Sequence, residues 1–421
     1  MNSKQNDRRP EKDPNQVDVE RDLQRAIGFH QTGKLQQAEL ICQQILQIHP
    51  QHFTALHLLG VIAYQVDNFE IAVDLIQQAV KVDPNQSSCF FSLGLTLKKQ
   101  GRLGEAINAY YKVLEIEPKN ADAYNNLGNI LGLSGQLEEA VDTYRKALEI
   151  NPDDIRTYNN LSVVLQKQGK LAEAIDTYYR ILEIDPTDVE VCRSLGMLLT
   201  ERGKLEEAID AYYKVLEVDS TDAGIYNNLG ILLKEQGKFK EAIDAYCKAL
   251  EIFPGYADAY NNLGNVLQLQ GNFEDAAVVY KKALEINSQF SEAHKNLGML
   301  LLLTGELERG WEKYEWRWKC HDFPSENRNF PQPPWDGTGL SDKSVLVWTE
   351  QGIGDEIMFA NMLDTLSWMA DKIITECEER LVPLFQRSFP KIQFFAREQK
   401  PNPMLLDRDI DYQVPIGSLA Q

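Results

Sequence analysis

The most regular chemically capable residues in this 421-residue chain are asparagines. Asn126, Asn160, Asn228, Asn262 and Asn296 fall in one register at steps of 34 residues, interrupted by Ser194. A carboxamide offers both a donor and an acceptor, which suits the main chain of an extended polypeptide without reading its side chains. Asparagine inside a helix costs about 0.5 kcal/mol relative to alanine, so its return in five units asks for a reason. Two other reasons stand beside peptide binding: recent duplication of one unit, or hydrogen bonds to an adjacent helix. Asn125, Asn159, Asn227 and Asn261 occupy the preceding register and are weaker candidates for the same surface.

A second chemical feature is the turn "GIGDEI", with Gly352, Gly354 and Asp355. It imitates a dinucleotide fingerprint, but Ile357 stands where the third glycine belongs and two acids open the helix, where they repel a pyrophosphate. The six cysteines, Cys42, Cys89, Cys192, Cys247, Cys320 and Cys377, are scattered singly without the spacing of a zinc site. They read as small core residues, reduced in a cytoplasmic protein. No metal is expected. A formal net charge of -20 excludes ordinary nucleic-acid binding, which depends on cations that release phosphate counterions. No apolar run has the length of a membrane span, and the polar segment from Met1 lacks the apolar core of a secretory signal.

The elements that position these residues follow from the same period. Pro50, Pro84, Pro118, Pro152, Pro186 and Pro254 share one phase, completed by Ser220 and Ser288. Gly60, Gly94, Gly128, Gly196, Gly230, Gly264 and Gly298 form another, broken by Ser162, and alanines from Ala38 to Ala276 form a third. Three phases on one period define a repeat. Within a unit, Tyr124, Leu127, Gly128 and Leu131 lie on one stripe of a first helix, and Ala140, Tyr144 and Ala147 on one stripe of a second. Gly135 ends the first helix and Pro152 closes the second.

The stretch "YNNLGNILGLSGQLEEAVDTYRKALEINP", Tyr124 to Pro152, resembles the tetratricopeptide-repeat family. The resemblance implies a mainly α fold, a right-handed solenoid of about nine helical hairpins whose first helices line a concave groove. The chain then divides into a polar, disordered lead-in over 1–18, the repeats over 19–324, a proline-bearing linker over 325–343 and a small, incomplete α/β domain over 344–421. The amide register resembles the asparagine ladder of the O-linked N-acetylglucosamine transferase superhelix, which implies a protein or peptide partner in the groove. The carboxylate-clamping subclass is not matched, because Lys295 is followed by Met299 where asparagine is required. In the last hairpin Gly310 replaces an alanine, and Trp311, Tyr314, Trp318, Leu302 and Leu303 make an apolar end that the tail is expected to cover.

The tail reads as a strand 344–349, a helix to Ala370, a strand 372–377, a helix through Arg387 and a strand 391–396, the front of a doubly wound parallel sheet. The segment "SVLVWTEQGIGDEIMFANMLDTL" resembles the opening of the bacterial heptosyltransferase family, two-domain sugar transferases. That resemblance implies Asp355 as general base on an acceptor hydroxyl, with Gly352 and Gly354 opening space beside it; the plainer alternative is that Asp355 caps its helix. Residues 344–421 stop short of the donor-binding half, so a nucleotide sugar enters only if a complete transferase forms, and no other cofactor is expected. The leading reading is an interaction scaffold without membrane insertion; the alternatives are a transferase component and a purely structural cap.

Overall fold

The protein is described by a computed structural model that covers residues 14–321, 323, 328–350 and 352–419. It divides into two compact units at Val218 and Asp219. Among the described residues eighteen α-helices follow in nine pairs, six pairs in the first unit and three in the second, which ends in a four-stranded sheet. None of these helices is long and apolar enough to cross a membrane.

The repeat is built by two local devices. Each first helix ends in a residue with positive φ, as at Gly135 (82°), which only glycine adopts without strain. The exception is Asp67, at φ 59°. The second device is close approach. Tyr110, Tyr144, Tyr212, Tyr246 and Tyr280 pack directly against Gly94, Gly128, Gly196, Gly230 and Gly264, where an added Cβ would stand 2.5–2.7 Å from the ring. Glycine is therefore required for packing, not for backbone freedom. Ser162 is accommodated by directing its hydroxyl to the Asn159 carbonyl (2.8 Å), and Tyr178 above it is slightly less buried than its counterparts.

Two expected boundaries change. The first helix is Pro14–Gln31, so the lead-in expected over 1–18 is shorter at its far end; proline opens a helix without losing a hydrogen bond there. Residues 1–13 lie outside the described residues. The linker expected over 325–343 is no spacer, because its described part belongs to the sheet domain. Trp335 donates its N–H to the Gln413 carbonyl and Gln413 donates to the Pro333 carbonyl, both at 2.9 Å, while Phe330 and Leu340 are buried. Prolines suit such an edge, where few ladder donors are needed.

The sheet contains β1 (Ser344–Trp348), β2 (Lys372–Cys377), β3 (Gln393–Ala396) and β4 (Tyr412–Pro415), all parallel in the order β3-β2-β1-β4. β1 is buried on both faces. Val345 and Val347 pack with Phe359, Leu363 and Phe385, whereas Leu346 and Trp348 pack with Phe330, Leu405 and Ile410. The single helix expected up to Ala370 is two short ones, Ile353–Ala360 and Met362–Leu366; after Leu366 the N–H groups of Met369 and Ala370 both return to its carbonyl and turn the chain into β2.

The last hairpin departs from its predecessors. Its second helix, Leu307–Tyr314, tightens into a 3-10 turn at Glu315–Lys319. At Gly310 a Cβ would stand 2.8 Å from the Leu302 side chain, so the two helices approach too closely for the alanine found elsewhere. The tail covers this end in part: Trp311 packs on Phe359 and Trp318 on Trp348, with ring centroids 5.9 and 5.3 Å apart. Leu303 is not covered and stays exposed.

Candidate functional site

The asparagine register occupies the first helices, and its amides are half-buried at Asn126, Asn160, Asn228, Asn262 and Asn296. Three of them perform the same internal task. Asn160 donates to Oδ1 of Asn125 at 3.0 Å, Asn262 to Asn227 at 3.1 Å and Asn296 to Asn261 at 3.0 Å, each partner lying in the preceding repeat. Asn125, Asn227 and Asn261 are buried, so they do not share the surface for which they were weaker candidates. Asn159, in the same register, is only half-buried. The earliest version of the contact is His57 with Ser92, at 3.0 Å. Burial lowers the pKa of that histidine. Asn126 has Phe91 in the matching place one repeat earlier and turns instead to the Asp122 carbonyl of its own helix, at 2.9 Å.

In the tail, Asp355 is the third residue of the helix Ile353–Ala360, and its carboxylate accepts the Gly352 N–H at 3.3 Å. That is a capping contact, the plainer role expected for it. A Cβ at Gly354 would meet nothing within 4 Å, and one at Gly352 would meet the Asp355 carboxylate at 3.8 Å.

Sequence reasoning missed the neighbouring buried charges. Glu350, Glu356 and Glu376 are fully buried around the carboxyl ends of β1 and β2. Arg317 donates to both oxygens of Glu350, at 2.8 and 3.2 Å, and Gly417 adds its N–H at 3.0 Å. Gly417 is glycine because a Cβ would stand 2.1 Å from the same oxygen. Burial works against the Arg317 guanidinium, but Glu350 and Glu315 outweigh it and hold the group firmly charged. Glu356 accepts from Arg397 at 3.0 Å and from the Glu378 N–H at 2.9 Å, and burial pushes its carboxyl up from the ordinary value. Glu376 pairs with Arg328. Beside this cluster a cleft of about 520 Å³ is walled by Trp318, Trp335, Trp348, Glu315, Gln413 and Ser418. The only sequence signal was the presence of acids within a strand-rich apolar stretch.

Five of the six cysteines are buried. Burial raises the thiol of Cys42 to about 11 and those of Cys89 and Cys377 to about 12, which makes them inert packing residues. Cys247 is exposed and departs from that expectation.

Comparison with known families agrees with the period. Family models described as tetratricopeptide repeat or TPR repeat match residues 94–135, 119–187, 196–237, 232–271 and 257–290. The chain carries tetratricopeptide repeats. Residues 31–113 match the family described as anaphase-promoting complex, cyclosome, subunit 3. A 90-residue part of the chain is 40% identical to protein FlbA of Caulobacter vibrioides, covering 21% of this chain but only 15% of that protein. Among solved structures, YrrB, described as a TPR protein with an unusual peptide-binding site, is 25% identical over 48% of this chain and all of its own, with a TM-score of 0.40. MamA is 27% identical over 39% of this chain and 95% of its own, with a TM-score of 0.37. The inter-repeat amide contacts fall inside the matched tetratricopeptide units, apart from the part of the last unit after residue 290.

Proposed function

We propose that the tetratricopeptide repeats are an interaction scaffold that holds extended peptide on their first-helix faces, through Asn126 and Asn160 in the first unit and through Asn228, Asn262 and Asn296 in the second. One observation carries this reading: Asn160, Asn262 and Asn296 are each anchored by a bond to the preceding repeat and yet stay half-exposed. Fixed on their inner side, Asn160 and Asn262 present one further N–H and a carbonyl oxygen, and Asn296, whose two N–H groups both go to the first helix of the preceding repeat, presents its oxygen; none needs further ordering, which lowers the cost of binding. Replacing all five by alanine and panning a random decapeptide library on both proteins tests it. Enrichment on the wild type alone supports the groove; equal enrichment on the variant refutes it.

A second reading concerns the tail, and the parallel order β3-β2-β1-β4 favours it. In this reading the tail is the front of a doubly wound sugar-transferase domain, with Asp355 as acceptor-side base beside Gly352 and Gly354, and a nucleotide sugar as donor. Incorporation of labelled sugar that disappears in Asp355→Ala supports it. Incorporation unchanged by that substitution leaves Asp355 as a helix cap. The third reading, a terminal cap, draws on Trp311, Trp318 and Arg317, and predicts loss of solubility when the chain is cut after Lys319.

A further inference from the structure

We infer that the peptide held by the second unit alternates basic and apolar side chains; this rests on the scaffold reading above. The first helices Ala257–Leu269 and Ser291–Leu303 each carry one stripe at positions i, i+4, i+7 and i+11. On the first the stripe reads Asp258, Asn262, Asn265, Leu269, and on the second Glu292, Asn296, Met299, Leu303. The stripes lie side by side, because Asn296 donates to Oδ1 of both Asn261 and Asn265 of the neighbouring helix, at 3.0 Å each.

Their alignment produces a surface with two different edges. Carboxylates of Asp258 and Glu292 stand at the amino-terminal edge, joined there by Asp222, the cap of the helix Ala223–Glu235. Amides form the middle. At the carboxyl-terminal edge Leu269 and Leu303 are 63% and 61% exposed, with Met299, 47% exposed, one turn before Leu303, whereas Leu263, Leu297, Leu300 and Leu301 of the same helices are buried. A row of exposed apolar side chains rimmed by polar groups marks a contact surface. An extended chain laid across the amides sends successive side chains to opposite edges. The acidic edge then selects lysine or arginine, and the leucine edge selects valine or leucine. The net charge of -20 draws such a cationic segment in.

The test is fluorescence anisotropy of the full chain with a labelled decapeptide of alternating lysine and valine, with glutamate–valine and lysine–serine decapeptides as controls. The lysine–valine peptide is expected to bind, and each control about tenfold more weakly or worse. Asp258→Asn with Glu292→Gln, and separately Leu269→Ser with Leu303→Ser, are each expected to weaken it about tenfold with little change in the melting temperature, since Asp258, Leu269 and Leu303 are exposed and the half-buried Glu292, which accepts the Ser291 hydroxyl at 3.0 Å, is replaced by a side chain of the same shape. Equal binding of either control, or full affinity in both variants, overturns the inference. Should library-selected peptides bind through Asn262 and Asn296 but lack this alternation, the inference fails while the scaffold reading stands.

Discussion

Arg317, on the 3-10 turn that ends the last hairpin, donates to both carboxylate oxygens of Glu350 at the end of β1, and both side chains are fully buried. The contact ties the end of the repeat array to the sheet across 33 residues of sequence. Breaking a buried pair from one side leaves an uncompensated charge, at a cost of about 3–5 kcal/mol, whereas removing both charges costs far less. Arg317→Met, which strips the buried Glu350 of its cation, should destabilise the tail by that amount, Glu350→Gln by less because Arg317 keeps Glu315, and the double change by clearly less than the sum. Urea unfolding followed by tryptophan fluorescence reports it, since Trp318 and Trp348 lie next to the pair. Additive losses would contradict the pairing.

The glycine register predicts an asymmetry between repeats. Gly230→Ala forces a Cβ to within 2.6 Å of the Tyr246 ring and should cost about 1–3 kcal/mol. Ser162→Gly, where the chain has already made room, should change stability by less than about 1 kcal/mol. Comparing the two midpoints in urea checks the claim.

Much of this was legible in the sequence, and the limit falls in a definite place. The helices were legible because three phases of small residues repeat locally, and β2 was read to its observed ends because the β-branched run Ile373, Ile374 and Thr375 marks it. The amide register was visible, but its inner half was not. That Asn261 is buried and accepts from Asn296 depends on the stacking of two repeats, 35 residues apart. Glu350, Glu356 and Glu376 were invisible as buried groups for the same reason, since their arginines lie 33, 41 and 48 residues away. β4 escaped because Tyr412–Pro415 is four residues long and ends in proline.

Asp67 holds the left-handed position that glycine holds at the end of the other first helices. Asp67→Gly should stabilise the first unit by about 0.5–1 kcal/mol, the residual strain of an L-residue there less the extra freedom of unfolded glycine. Thermal unfolding with an upward shift is the expected result, and a downward one would show that the Asp67 side chain contributes more than its backbone costs.

Asp411 should give the tail an acid-sensitive component. The Ser344 N–H, at 2.9 Å, together with Lys343 and the Ser344 hydroxyl, lowers its pKa from the ordinary 3.8 to about 2. Because the folded value lies below the unfolded one, its contribution is present above about pH 4 and lost as pH falls toward 2. Carboxyl NMR should show a midpoint near 2. Tail unfolding followed between those pH values should be steeper in the wild type than in Asp411→Asn, and identical slopes would remove Asp411 from the account.

The central claim is that the amides bind with the side they leave open, and two double variants separate binding from packing. Asn262→Ala with Asn296→Ala removes the half-exposed amides, while Asn227→Ala with Asn261→Ala removes only their buried partners. The decisive measurement is the affinity of a library-selected decapeptide for both variants and the wild type, by calorimetry. Loss of about tenfold or more in the first, with a smaller loss of about two- to fivefold in the second, where the amides remain but lose anchoring bonds, is predicted from the cost of lost hydrogen bonds and of reordering the side chains. Equal affinity for all three proteins would contradict it.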